Sequence, residues 1–142
     1  DFFGVQCYTR LVFDEKGMVP PPKDAEKTLS GYEFYPQALA NTIRWAHRTI
    51  GKPIYVTESG VAVADDARRV AFIDAALDGV RACLDEGIAV HSYIYWSLLD
   101  NFEWTSGYSV PFGLAAVDRD TFVRAPRPSA HHFGAIVRAN RI

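Results

Sequence analysis

The run Ile54-Tyr55-Val56-Thr57-Glu58-Ser59-Gly60 decides the reading of the fold. Its first four residues are β-favouring without polar alternation, which describes a strand buried on both faces, as in a parallel sheet flanked by helices. Working outward, a helix precedes it: Pro36 suits a first helical position, Leu39, Ile43, Ala46 and Ile50 form one stripe, and Gly51 stops it. A second helix follows, capped by Asp65 or Asp66, with Val70, Ile73, Leu77, Val80 and Leu84 at helical spacing up to Gly87. Further out lie β-like runs at Phe2 to Tyr8 and Ile88 to Ser97, and a last helix from about Ser129 to Asn140 that presents Phe133, Ile136 and Val137. The connecting segments are long. Thr9 to about Tyr35 contains Pro20-Pro21-Pro22, and Leu98 to about Ser129 is polar and aromatic, so both read as loops, functional or mobile. The order is β-α-β-α-β-α, the pattern of a parallel sheet with crossover helices.

Three parallel strands do not close a barrel, and so narrow a sheet leaves two edges unpaired. The 142 residues therefore read as one partial domain, a piece of something larger or a processed product, in keeping with an opening Asp1-Phe2-Phe3-Gly4-Val5 that lacks a Met. With 49% hydrophobic and 23% charged residues the composition is that of an ordinary globular domain. Fifteen basic against 17 acidic residues give a net charge of −2, which provides no positive field for a nucleic acid or an anionic membrane surface. No apolar stretch approaches the roughly 18 residues of a membrane helix, and no charged leader precedes an apolar core. Cys7 and Cys83 form neither a disulfide framework nor a C-x-x-C pair, so reduced thiols and a cytoplasmic location are expected.

In parallel α/β architectures functional groups gather at the C-terminal ends of the strands. Here those ends deliver Tyr8, Glu58 and Trp96. Spacing alone leaves two readings of Glu58: a carboxylate at a strand-to-loop turn, or one held in a cleft for chemistry. Two readings also attach to Trp96-Ser97-Leu98-Leu99-Asp100-Asn101-Phe102-Glu103-Trp104, with Gly107-Tyr108-Ser109 and Phe112-Gly113 behind it. Aromatic faces beside a carboxylate suit a sugar, whose C–H face stacks on a ring while its hydroxyls donate to the carboxylate; the same residues could be a hydrophobic cluster under a long loop.

At these residues the sequence resembles glycoside hydrolase family one, the β-glucosidases and their relatives. Tyr55 to Gly60 and Trp96 to Trp104 are similar to that family's signature stretches. Gly51-Lys52-Pro53-Ile54, Phe112-Gly113-Leu114 and Val117-Asp118 follow its order, and Asp1 to Thr9 resembles its sixth barrel strand. The resemblance covers essentially the whole chain and implies an α/β fold corresponding to about strands six to eight of a (β/α)8 TIM barrel. It implies a retaining β-glycosidase without cofactor or metal, acting on a β-linked glucoside or related small carbohydrate. In that mechanism Glu58 is the nucleophile and Tyr8 the hydroxyl that hydrogen-bonds it. Trp96 is the platform beneath the sugar, Glu103 and Trp104 read its outer hydroxyls, and Phe112 is an aromatic wall. A carboxylate at Glu103 repels a 6-phosphate, which points to unphosphorylated sugars.

The chain departs from the family pattern at Gln6-Cys7, where Asn-Tyr is usual, and at Ser59, where Asn is usual. A larger departure is that the Asn-Glu-Pro segment supplying the acid/base, and the early-strand Gln, His and Asn that bind sugar, have no counterpart here. The implied partners are accordingly the absent barrel portion or a self-associated copy, although two copies supply six strands and not eight. The competing function is a non-catalytic sugar-binding or interaction module completed by another chain. Other polar residues read as structural. His131-His132 point about 100° apart on a helix and make no metal pair. His47 and His91 read as satisfied polar residues, Arg68-Arg69 and Arg124 and Arg127 as solvated faces, and Cys7 as a buried neutral thiol rather than one facing the site.

Overall fold

The computed structural model describes residues 1–141. The apolar run at Ile54 forms the central strand β4 (Ile54–Ser59), with β1 (Phe3–Gln6) and β5 (Val90–Tyr95) parallel on either side, in the order β1-β4-β5. Val5 sits opposite Val56, and Val56 opposite Tyr93. Ile54 and Val56 are fully buried against the helices, while Gly4, Gln6, His91 and Ile94 are exposed. One face is thus the core, and the other is covered by nothing among the described residues. On it Phe2 lies against Tyr55, and Tyr55 stacks on His91 at 5.6 Å between ring centroids.

Helix α1 (Ala38–Ile50) buries Leu39, Ile43 and Ala46, the stripe expected from the sequence, and Gly51 ends it in the left-handed region at φ 65°. Ile50, expected in the stripe, is the last residue of the helix and is 42% exposed. Helix α2 (Asp66–Asp85) starts where Asp65 accepts the Ala67 N–H at 2.9 Å, a capping contact. It buries not one stripe but two. Phe72, Ala76, Val80 and Cys83 join the core shared with α1 and β4, whereas Ile73 and Leu77 pack with Tyr95, Leu114 and the helix α3 (Pro128–Ala139). A helix with a neighbour on each side buries a wider arc than a single amphipathic stripe. For that reason Arg69, expected on a solvated face, is 1% exposed. Leu84, expected in the stripe, is exposed at the helix end. At the α1–α2 crossing Gly79 leaves only enough room for Ala40, since a Cβ there would stand 3.0 Å from the Ala40 methyl.

Both segments read as loops contain an antiparallel hairpin. Residues β2 (Val12–Asp14) and β3 (Gly17–Val19) pair in the first, β6 (Ala115–Val117) and β7 (Arg124–Pro126) in the second. Strands of three residues carry too little periodicity to register against a loop. Their turns are nevertheless marked: Asp14 accepts the Lys16 N–H at 2.7 Å, and Asp118 accepts the Asp120 and Thr121 N–H groups at 3.1 and 2.7 Å. No helix among the described residues is long and apolar enough to cross a membrane.

Candidate active site

The polar end of the sheet is built by letting the chain alternate just past each strand. After β1, the Cys7 N–H donates to the Glu58 carbonyl at 3.0 Å, which carries the parallel pairing one residue further. Cys7 then faces outward, with Sγ 3.6 Å from Thr42 Oγ1 of α1, and burial pushes its thiol pKa up. Its successor Tyr8 therefore faces the other way. The Tyr8 hydroxyl donates to Glu58 Oε2 at 2.5 Å. Burial, first, then the hydrogen bond to Glu58 and the charges of Glu58 and Glu103 raise the Tyr8 pKa far above its ordinary value, so the phenol keeps its proton and acts only as donor.

Trp96 reaches the same place from β5, its N–H donating to the Ser59 carbonyl at 2.9 Å. The two strand ends approach so closely that a Cβ on Gly60 would sit 1.8 Å from the Trp96 carbonyl oxygen, so only glycine fits. The Trp96–Ser97 peptide bond is cis. Trp96 Nε1 donates to Glu103 Oε1 at 3.0 Å. That bond fixes the indole plane and leaves Glu103 Oε2 without a partner among the described residues.

The loop between them is held from behind. Asp100 accepts the Gly113 N–H at 2.9 Å and a two-pronged contact from Arg127 at 2.7 and 3.1 Å. Asn101 donates to Ser97 Oγ and to the Leu99 carbonyl. Arg127, read from the sequence as solvated, is thus a fork closing this loop, with its side chain only 20% exposed. Phe112, 5% exposed, meets the Tyr8 ring edge-on at 5.8 Å. Trp104 opens a single 3-10 turn (Trp104–Ser106) and is 86% exposed.

A cleft of about 500 Å³ results, and Tyr8, Glu58, Trp96, Glu103, Trp104 and Phe112, the six candidates named from the sequence, all line it. Gln6, noted in the sequence only as a departure from the family pattern, completes the lining with Ser30, Tyr32, Thr105, Ser106 and Val110, which went unremarked. Ser30 and Tyr32 come from the first long loop, whose length was their only signal; a more apolar cavity of about 570 Å³, walled by Leu11, Val12, Met18 and Pro20 to Pro22, adjoins the cleft there. The cleft's carboxylates are Glu58 and Glu103. Among the described residues no cluster of His, Cys, Asp or Glu suits a metal ion; His132 instead meets Asp74 at 2.6 Å. Chemically, the cleft offers a carboxylate with one oxygen anchored by a phenol, beside an indole face and a second carboxylate.

Residues 9–142 match the sequence profile of glycosyl hydrolase family 1. The chain belongs to that family. A β-galactosidase from Sulfolobus acidocaldarius is 36% identical over all of this chain and 32% of its own length. An apo structure of β-glucosidase 1317 superposes with a TM-score of 0.97 at 52% identity, covering the whole chain and 35% of that protein. The β-glucosidase from Thermotoga maritima in complex with deoxynojirimycin superposes at 0.92 with 29% identity, again over the whole chain and 35% of its own. This family 1 chain thus spans about a third of the length of those relatives. Its three-stranded parallel sheet and three α-helices are a sector of their TIM barrel, which explains both the unpaired sheet edges and the uncovered face.

Proposed function

We propose that the chain contributes the nucleophile half of a retaining β-glycosidase site for unphosphorylated β-glucosides or closely related sugars. The observation that carries this reading is the Tyr8–Glu58 hydrogen bond of 2.5 Å at the floor of a cleft whose wall is the Trp96–Glu103 pair. A carboxylate that must attack an anomeric carbon needs its free oxygen aimed, and a phenol that keeps its proton and holds the other oxygen supplies that. Glu58 attacks and forms the covalent glycosyl-enzyme; water then releases the sugar. Trp96 stacks on the sugar ring, and the free oxygen of Glu103 accepts from its outer hydroxyls and repels a phosphate. Trp104, exposed at the cleft's rim, reads the sugar's outer hydroxyls together with Glu103. The second carboxyl that such a mechanism requires about 5–5.5 Å from the nucleophile is supplied by the rest of the barrel, since Glu103, the other carboxylate lining the cleft, reads the sugar's outer hydroxyls.

The test is hydrolysis of an aryl β-glucoside with an activated leaving group by the complete barrel, by the chain alone and by each with Glu58→Ala. Such a leaving group departs with little acid assistance. Expected is turnover by the complete barrel, abolished by Glu58→Ala, and none above that control by the chain alone. Glucose binding without turnover in the complete barrel contradicts the reading and favours a non-catalytic sugar-binding module.

A further inference from the structure

Arg69 is the most completely buried charged side chain among the described residues, at 1% exposure; its Nε finds no hydrogen-bond partner there, while both Nη atoms do. Its Nη1 pairs with Asp66. Its Nη2 donates to the Pro111 carbonyl at 2.9 Å and to the Val63 carbonyl at 3.3 Å. Asp66 in turn accepts the Ser129 N–H and the Ser129 hydroxyl, each at 2.7 Å, at the start of α3. Burial of a charge costs free energy unless every donor is matched, and a Leu or Met at this position would fill the space without that cost. What a guanidinium does that an apolar side chain cannot is fix two carbonyls at once. Val63 lies in the segment that leaves Glu58 through Gly60, and Pro111 immediately precedes Phe112, whose ring leans edge-on against Tyr8.

We propose that Arg69 is a positioning residue of the sugar cleft: it ties the segment after Glu58 to the segment bearing Phe112, and through Phe112 sets the angle at which Tyr8 meets Glu58. This rests on the cleft being a retaining glycosidase site. A displacement of Phe112 by a fraction of an ångström turns the Tyr8 ring, and small misplacements transmitted from outside the reacting atoms are costly in rate.

The test uses the complete barrel with Arg69→Met, Arg69→Lys and Phe112→Ala, and the double variant Arg69→Met/Phe112→Ala. Active sites are first counted by stoichiometric trapping with an activated 2-deoxy-2-fluoro-β-glucoside, so that loss of folded protein is divided out. Expected is a fall in kcat per trapped site of about 10- to 100-fold for Arg69→Met, partial recovery in Arg69→Lys, and a double variant no slower than Phe112→Ala alone by more than about twofold. A purely structural role lowers the melting temperature and the number of sites but leaves kcat per site unchanged in both Arg69 variants, which overturns the proposal. So does full additivity in the double variant. Where Arg69→Met yields no folded protein, Arg69→Lys carries the same comparison. Absence of trapping and hydrolysis in the unsubstituted barrel overturns the glycosidase reading itself, and the proposal with it.

Discussion

Tyr8 and Glu58 come from different strands and meet where the β1–β4 register shifts between Val5 and Gln6, which sets Gln6 opposite Glu58, and the pairing continues through the Cys7 N–H to the Glu58 carbonyl. The bond between them is charge-assisted, and such bonds contribute about 1.5–3 kcal/mol. Tyr8→Phe keeps the ring against Phe112 and removes only the donor. It should lower kcat/KM by roughly 10- to 150-fold while leaving the melting temperature within a few degrees; a rate near that of the unsubstituted enzyme would show the hydroxyl to be dispensable. Because burial and Glu58 raise its pKa, the Tyr8 phenol also stays protonated where ordinary tyrosines titrate near pH 10. Spectrophotometric titration should therefore show the same absorbance rise at pH 10 in the native protein and in Tyr8→Phe. At this scale the strand ends pointed to Tyr8, Glu58 and Trp96 but left their roles open, and the resemblance to family 1 completed the six candidates, which line one cleft. Tyr32 was not among them, because a tyrosine within a long loop carries no periodicity that points it at a cleft.

The elements are held together at the cleft by close backbone approach. Gly60→Ala places a methyl group against the Trp96 carbonyl, which is itself fixed by the Trp96 N–H to Ser59 bond. We expect a loss of about 3 kcal/mol or more, read as a lowered denaturant midpoint, together with loss of sugar binding; wild-type stability in this variant would mean the strand ends are looser than drawn. The element scale is also where sequence reading reached its limit. A single stripe on α2 is what Val70, Ile73, Leu77, Val80 and Leu84 spell, but the helix is wedged between α1 and α3 and buries a second row at Phe72, Ala76 and Cys83. Whether Arg69 is solvated depends on that second neighbour. Nothing within one helix's periodicity reports how many helices pack on it. The two hairpins were lost for a related reason, three-residue strands being set by their turns and not by their own pattern.

The molecule as a whole is a sector, with an uncovered sheet face and buried polar struts tying its periphery together. Asp66 anchors one strut. Burial alone would raise its pKa, but the two Ser129 contacts and the Arg69 guanidinium outweigh that and hold the carboxyl below its ordinary value. A folded-state pKa below the unfolded one, about 3.9, gives stabilisation that is complete above that value and is lost as pH falls through the lower folded value. Melting temperature should accordingly drop as pH is lowered from about 5 to below 3, and Asp66→Asn should flatten that slope while lowering stability at neutral pH; an unchanged slope would assign acid lability to other carboxylates. The parallel α/β class and the reading as a piece followed from three apolar runs too few to close on themselves, the barrel itself came from the resemblance to family 1, and the match to a third of several family 1 enzymes agrees.

The role of Glu58 is tested most directly by trapping. A 2-deoxy-2-fluoro-β-glucoside with an activated leaving group slows both steps of a retaining mechanism by destabilising the oxocarbenium-like transition states, but the good leaving group preserves the first, so the glycosyl-enzyme accumulates. Incubated with the complete barrel and digested, the protein should yield one modified peptide, carrying the fluoroglucosyl mass on Glu58. Label on another carboxylate, or continued turnover with no label at all, would contradict Glu58 as the nucleophile.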